Sequence, residues 1–128
     1  MADKALTVWI VDDDQSVRWV LEKALAQAGM ESRSFERAEH LLEAIGHSSP
    51  DVLITDIRMP GMDGIALLER LSRSSPDLPI IVITSRTGEK HRQRANDIGV
   101  EKYLGKPYQE IQLIKLISEV MGREFVSQ

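Results

Sequence analysis

Residues 52–64 read VLITDIRMPGMDG. Apolar and β-branched residues run to a carboxylate, Asp56, and four residues later Pro60 and Gly61 turn the chain. A run of that composition suits a strand buried on both faces. Packing alone gives such a strand no reason to end in a negative charge, so the charge implies a partner.

Working outward, the same grammar recurs. Residues 7–11 (TVWIV) lead into Asp12, Asp13 and Asp14, and residues 79–84 (PIIVIT) are apolar until Thr84. Residues 51–56 and 102–106 supply a third and a fifth strand, and residues 32–35 a weak second one. Between the strands, Val17, Val20, Leu21, Ala24, Leu25 and Ala28 recur at helical spacing up to Gly29. Ala38, Leu41, Leu42 and Ile45 do so up to Gly46, and Ile65, Leu68 and Leu71 before a Ser/Pro loop at 74–79. Residues 88–98 read as a polar fourth helix with only Ala95 and Ile98 apolar, and residues 109–121 as the last helix. Five strand–helix alternations predict an α/β fold, a parallel sheet with helices on both faces. Such sheets bind ligands at the carboxyl ends of their strands, near the switch in strand order.

The bulk numbers narrow the function. A chain of 128 residues is enough for one domain with one core, residues 1–128. A net charge of −4 argues against a surface that coats nucleic acid. With no cysteine, disulfides, thiolate nucleophiles and thiolate metal sites are excluded together. No apolar run approaches the roughly 20 residues that span a bilayer. The first residues show no signal-peptide pattern, so a cytoplasmic location is the expectation.

The strand ends collect polar groups. The first strand ends in Asp12, Asp13 and Asp14, the third in Asp56, the fourth in Thr84 and Ser85, the fifth in Lys106. Taken singly, each has an ordinary explanation: Asp14 as a helix N-cap, Thr84 as a strand former, Lys106 as a surface lysine. Together they describe a pocket. Clustered carboxylates repel by roughly 4 kcal/mol at about 4 Å and an effective dielectric of about 20. A hard divalent cation offsets that, and Mg2+ suits a few carboxylates plus waters and a phosphate. Asp56 is then placed as a nucleophile forming an acyl phosphate, with Thr84 and Lys106 for the phosphoryl oxygens.

The segments IVDDD, LITDIRMPGMDG, PIIVITS and YLGKP cover nearly the whole chain. In combination they resemble the receiver domain of two-component response regulators. The resemblance implies a flavodoxin-like doubly wound (βα)5 fold of strand order 2-1-3-4-5; that order comes with the family, not from the spacing. It implies a phosphorylation-dependent switch in which Asp56 accepts a phosphoryl group from the phosphohistidine of a sensor histidine kinase or a histidine phosphotransfer protein. Such a domain catalyses its own phosphorylation and dephosphorylation and is not a conventional enzyme. The implied metal set is Asp13, Asp56, the backbone carbonyl of Arg58, and Asp12 through water. Thr84 and Lys106 drive the switch, Tyr103 is the rotating aromatic, and Lys106–Pro107 is a cis peptide. From the residues themselves, the face made by the fourth helix, fifth strand and last helix is the expected surface for an output domain, partner or dimer, with Leu116, at the edge of the last helix's broad apolar arc, a candidate to be left exposed there. Direct nucleic-acid binding and membrane association are not expected, and the state is a monomer or weak dimer.

The resemblance divides along the chain. WIVDDDQSVRWVLEKAL and TDIRMPG are similar to receivers of nitrogen-regulatory activators, whereas residues 85–110 are more similar to receivers of chemotaxis-type hybrid kinases. An engineered chimera and a natural paralogue both account for the division. Arg58 and Arg86 occupy the positions that tune phosphoryl lifetime in the family. Three other functions compete. A haloacid-dehalogenase-type phosphatase needs an acid two residues after its nucleophile, where Arg58 stands. A flavin carrier needs a phosphate loop after the first strand, where three carboxylates stand. A degenerate receiver that docks without signalling is the remaining alternative. The chain ends about one turn after its last helix, as a stand-alone or excised domain would.

Overall fold

In the computed structural model the described residues are 5–56, 64–84, 102–105 and 108–122. The elements are β1 (Thr7–Val11), α1 (Gln15–Gln27), β2 (Glu31–Phe35), α2 (Ala38–Ile45), β3 (Val52–Asp56), α3 (Gly64–Ser74), β4 (Ile80–Thr84) and β5 (Lys102–Gly105). They end with the C-terminal helix (Glu110–Met121). The helix expected over 88–98 lies outside the described residues.

All five strands are parallel and ordered β2-β1-β3-β4-β5, the doubly wound arrangement. The chain starts near the middle of the sheet, winds outward to β2, then crosses over to β3. The strand order therefore reverses between β1 and β3, which opens a crevice at their carboxyl ends.

Strand alternation sorts the core into two layers. Val8, Ile10, Val52, Ile54, Ile81 and Ile83 face α1 and the C-terminal helix, meeting Leu21, Leu25, Leu113 and Ile117. Trp9, Val11 and Leu53 face α2 and α3, meeting Leu41, Leu67 and Leu71. β3 is buried along its whole length, as its unbroken apolar run predicts.

Local chemistry sets the helix ends. Asp14 caps α1, its carboxylate accepting from the backbone of Ser16 (2.8 Å) and Val17 (3.4 Å). Gly29, at φ +80°, takes the left-handed conformation that follows the helix end. Gln109, expected inside the last helix, is its N-cap, in a reciprocal capping box with Gln112. Asp51, expected at the start of β3, instead accepts from the Thr7 backbone N–H at 2.9 Å and ties β3 to β1.

Two apolar positions depart from expectation. Val20 belongs to the helical stripe of α1 yet is 46% exposed, beside Trp19 at 62%. The buried arc is narrower, Leu21, Ala24 and Leu25, and Lys23 lies 5.2 Å from the Trp19 ring, a cation–π contact that suits an exposed indole. On the C-terminal helix the exposed apolar residue is Ile111 at 68%, whereas Leu116 is partly buried against the core. Ile111 sits in the first turn, ahead of the arc that reaches the sheet.

Candidate functional site

The crevice beside β1 and β3 holds the acidic residues. In the register, Val11 pairs with Thr55, so Asp12 and Asp56 are the next step along neighbouring strands. Adjacent strands lie about 4.8 Å apart. Asp56 has the parity of Val52 and Ile54, which puts it on the side covered by α1 and the C-terminal helix.

Both carboxylates are removed from solvent, Asp12 at 4% and Asp56 at 8% exposure. With Thr55 they are the buried polar residues among those described. Thr55 is satisfied locally, its hydroxyl donating to the Asp56 carbonyl at 3.1 Å. Burial amplifies the repulsion between two like charges, because little water screens them.

The turn leaving β1 is held at several points. The Asp12 backbone N–H donates to the Phe35 carbonyl at 3.1 Å, and the Arg18 backbone N–H to the Asp14 carbonyl at 3.1 Å. The Asp14 backbone N–H donates to Asp12 Oδ1 at 2.9 Å, which orients that carboxylate. Arg18 Nη1, from the first turns of α1, donates to the Asp12 carbonyl at 2.7 Å. Asp13 is exposed at the rim.

A second element packs on the same face of the sheet. Tyr108, just ahead of the C-terminal helix, is half-buried, and its phenol pKa is raised above the ordinary value. Burial is the main cause, followed by the negative charges of Asp12 and Glu110.

The expected site residues therefore divide. Asp12 and Asp56 are neighbours at the sheet edge, and Asp13 follows Asp12 at the rim. Thr84 ends β4, opposite Gly105 and one step beyond the Asp56–Ile83 pair. Tyr103 is half-buried on β5, opposite Val82. Arg58, Lys106 and Pro107 lie outside the described residues. Arg18 and Tyr108 were not anticipated. A cation one turn into the helix that follows three carboxylates was the available signal for Arg18; Tyr108 had none beyond its closeness to Lys106 in sequence.

The donor set meets the needs of Mg2+. Among the described residues, no three carboxylate, imidazole or thiolate groups gather closely enough to form a cage by themselves. Mg2+ does not require one, since it is held by one or two carboxylates with waters and a phosphate completing the octahedron. Two buried carboxylates side by side, with a third at the rim, fit that requirement.

The profile of the response regulator receiver domain family matches residues 8–118. The DNA-binding transcriptional regulator NtrC of Escherichia coli (strain K12) is 44% identical over 115 residues, 90% of this chain and 24% of the relative. This chain thus spans about a quarter of the length of that relative. The solution structure of the BeF3-activated receiver domain of nitrogen regulatory protein C is 41% identical. It superposes with a TM-score of 0.80, covering 94% of this chain and 97% of that one. The Vibrio cholerae chemotaxis protein CheY4 is 27% identical with a TM-score of 0.86, covering 91% of this chain and 99% of that one.

Proposed function

This chain belongs to the response regulator receiver domain family, whose members are phosphorylation-dependent signalling switches, and on that premise we propose that Asp56 is its phosphoacceptor. The observation that carries the reading is the buried Asp56 ending the central strand, level with the buried Asp12 one step beyond the Val11–Thr55 pair. The likeness to nitrogen-regulatory receivers along most of the chain supports it.

In this reading an Asp56 carboxylate oxygen attacks the phosphorus of a phosphohistidine on a sensor kinase or phosphotransfer protein. The P–N bond breaks, the imidazole leaves with its electron pair, and an acyl phosphate forms. Water later attacks that phosphorus, which returns the carboxylate and releases inorganic phosphate. Mg2+, when bound, supplies charge stabilisation to the phosphoryl oxygens. Asp13, Asp56 and the Arg58 carbonyl would hold it, with Asp12 acting through water. Thr84 and Lys106 take the phosphoryl oxygens as neutral and cationic donors. The burial of Asp56 reduces solvent screening at its carboxylate and strengthens these contacts.

The expected readout is the face of the fourth helix, β5 and the C-terminal helix; residues 88–98 lie outside the described residues, and Tyr103 on β5 is the aromatic assigned to the switch. An output domain or partner docks there, and residues 1–128 act as a single receiver unit in the cytoplasm.

The test is chemical. Incubation with Mg2+ and acetyl phosphate is expected to give one phosphoryl adduct by mass spectrometry, absent from Asp56→Asn and in the presence of chelator. An adduct that persists in Asp56→Asn overturns the assignment.

A further inference from the structure

Arg18 is half-buried in the first turns of α1, beside a turn carrying three carboxylates. A guanidinium in that position would be expected to form a bidentate ion pair with one of them. It does not. Its Nη1 donates 2.7 Å to the neutral backbone carbonyl of Asp12, and it makes no ion pair with a described carboxylate.

That choice of acceptor has a geometric consequence. The Asp12 carbonyl and the Asp13 N–H belong to one rigid peptide plane. Fixing the carbonyl therefore fixes the direction in which Asp13 leaves the strand. The remaining contacts hold the two flanks of the same turn: Asp12 through its backbone N–H to Phe35 and its Oδ1 to Asp14, and Asp14 through its cap on Ser16 and Val17. The Arg18 side chain supplies the tie to the carbonyl of the peptide between the two acids.

We infer that Arg18 is a positioning residue: it orients the Asp12–Asp13 peptide so that both carboxylates converge on a divalent cation, while leaving them uncommitted to itself. This rests on the reading of Asp12 and Asp13 as the metal-holding pair.

Charge and positioning make opposite predictions, which allows a decisive test. A cation beside a Mg2+ site repels the metal, so a purely electrostatic role requires that its removal tighten binding. A positioning role requires that its removal weaken binding. Mg2+ affinity is measured by calorimetry on the wild type, Arg18→Met and Arg18→Lys at constant ionic strength, at a temperature where all three give the same far-UV circular dichroism. The expected result is Mg2+ binding weakened by about tenfold in Arg18→Met, the scale for outer partners of metal ligands. Arg18→Lys, which keeps a donor and the charge, is expected to fall between. If Arg18→Met does not fold, Arg18→Gln replaces it in the same comparison.

Mg2+ affinity unchanged or tighter in the neutral variant overturns the inference, even if its melting temperature falls, since a merely structural arginine would lower stability without moving the binding constant. Absence of Mg2+ binding in the wild type overturns the metal reading and this inference with it. Binding and Asp56 phosphorylation intact in the wild type, with affinity unmoved by Arg18→Met, removes the inference alone.

Discussion

Asp12→Asn is expected to make the metal-free protein more stable. The substitution keeps side-chain size and keeps an Oδ1 that accepts from the Asp14 backbone N–H, a contact of 2.9 Å in the native turn. What it removes is one of two buried negative charges on adjacent strands. At roughly 5 Å and an effective dielectric of about 20, that repulsion is about 3 kcal/mol. Other groups around the pair offset part of it, so a net gain of about 1–2 kcal/mol is expected. A domain of this size changes its melting temperature by about 4 °C per kcal/mol, which puts the apo variant about 4–8 °C above wild type. Mg2+ reverses the order. A ligand at about 100 times its dissociation constant adds roughly 2.7 kcal/mol to the wild type, and the variant with its weakened site gains less. The assay is thermal unfolding by circular dichroism with chelator and with saturating Mg2+. If Asp12→Asn melts below wild type in chelator, the acid pair is not under electrostatic strain and the physical case for a cation there collapses.

Two further outcomes test other parts of the structure. Because the Tyr108 phenol pKa is raised, the folded state holds that proton more tightly than the unfolded chain. Its contribution to stability is complete below the ordinary tyrosine value of about 10 and is lost as pH rises above it. Tyr108→Phe is expected to flatten the alkaline fall in melting temperature, and an identical fall in both proteins contradicts this. Hydrogen exchange with and without beryllofluoride is expected to change mainly across residues 86–108; changes confined to α1 would refute the proposed output face.

Much of the fold is legible in the residues themselves. Apolar runs of four to six residues alternating with 3.6-residue periodicity specify strands and helices because burial of one face or two demands those periods. β1 and β3, continuous and β-branched, begin and end within a residue of the apolar runs that predict them. The polar termini of the strands gave the candidate site, since a carboxylate at the end of a buried strand has no packing explanation. The edges were harder: β2 reads ESRSF, has little apolar content, and is a strand because it pairs with β1 from Thr7–Glu31 to Val11–Phe35. Periodicity also overestimated the buried face of α1. Val20 fits the apolar stripe, but a helix lying on a sheet buries an arc whose width depends on what else covers it.

The sequence by itself determined the alternation of elements, the burial of the central strands and the chemical character of the strand ends, because these depend on residue type and on local period. Only the tertiary structure decided which ends are neighbours. Asp12 and Asp56 are 44 residues apart in the chain and become a buried pair through the β1–β3 register, in which a one-residue slip would send either carboxylate to the other face. The attachment of Arg18 to a backbone carbonyl instead of an adjacent carboxylate, and the reach of Asp12's charge to Tyr108, are likewise consequences of packing. Distances between groups far apart in the chain are set when sheet and helices close on a shared core, and no local pattern of residues encodes them.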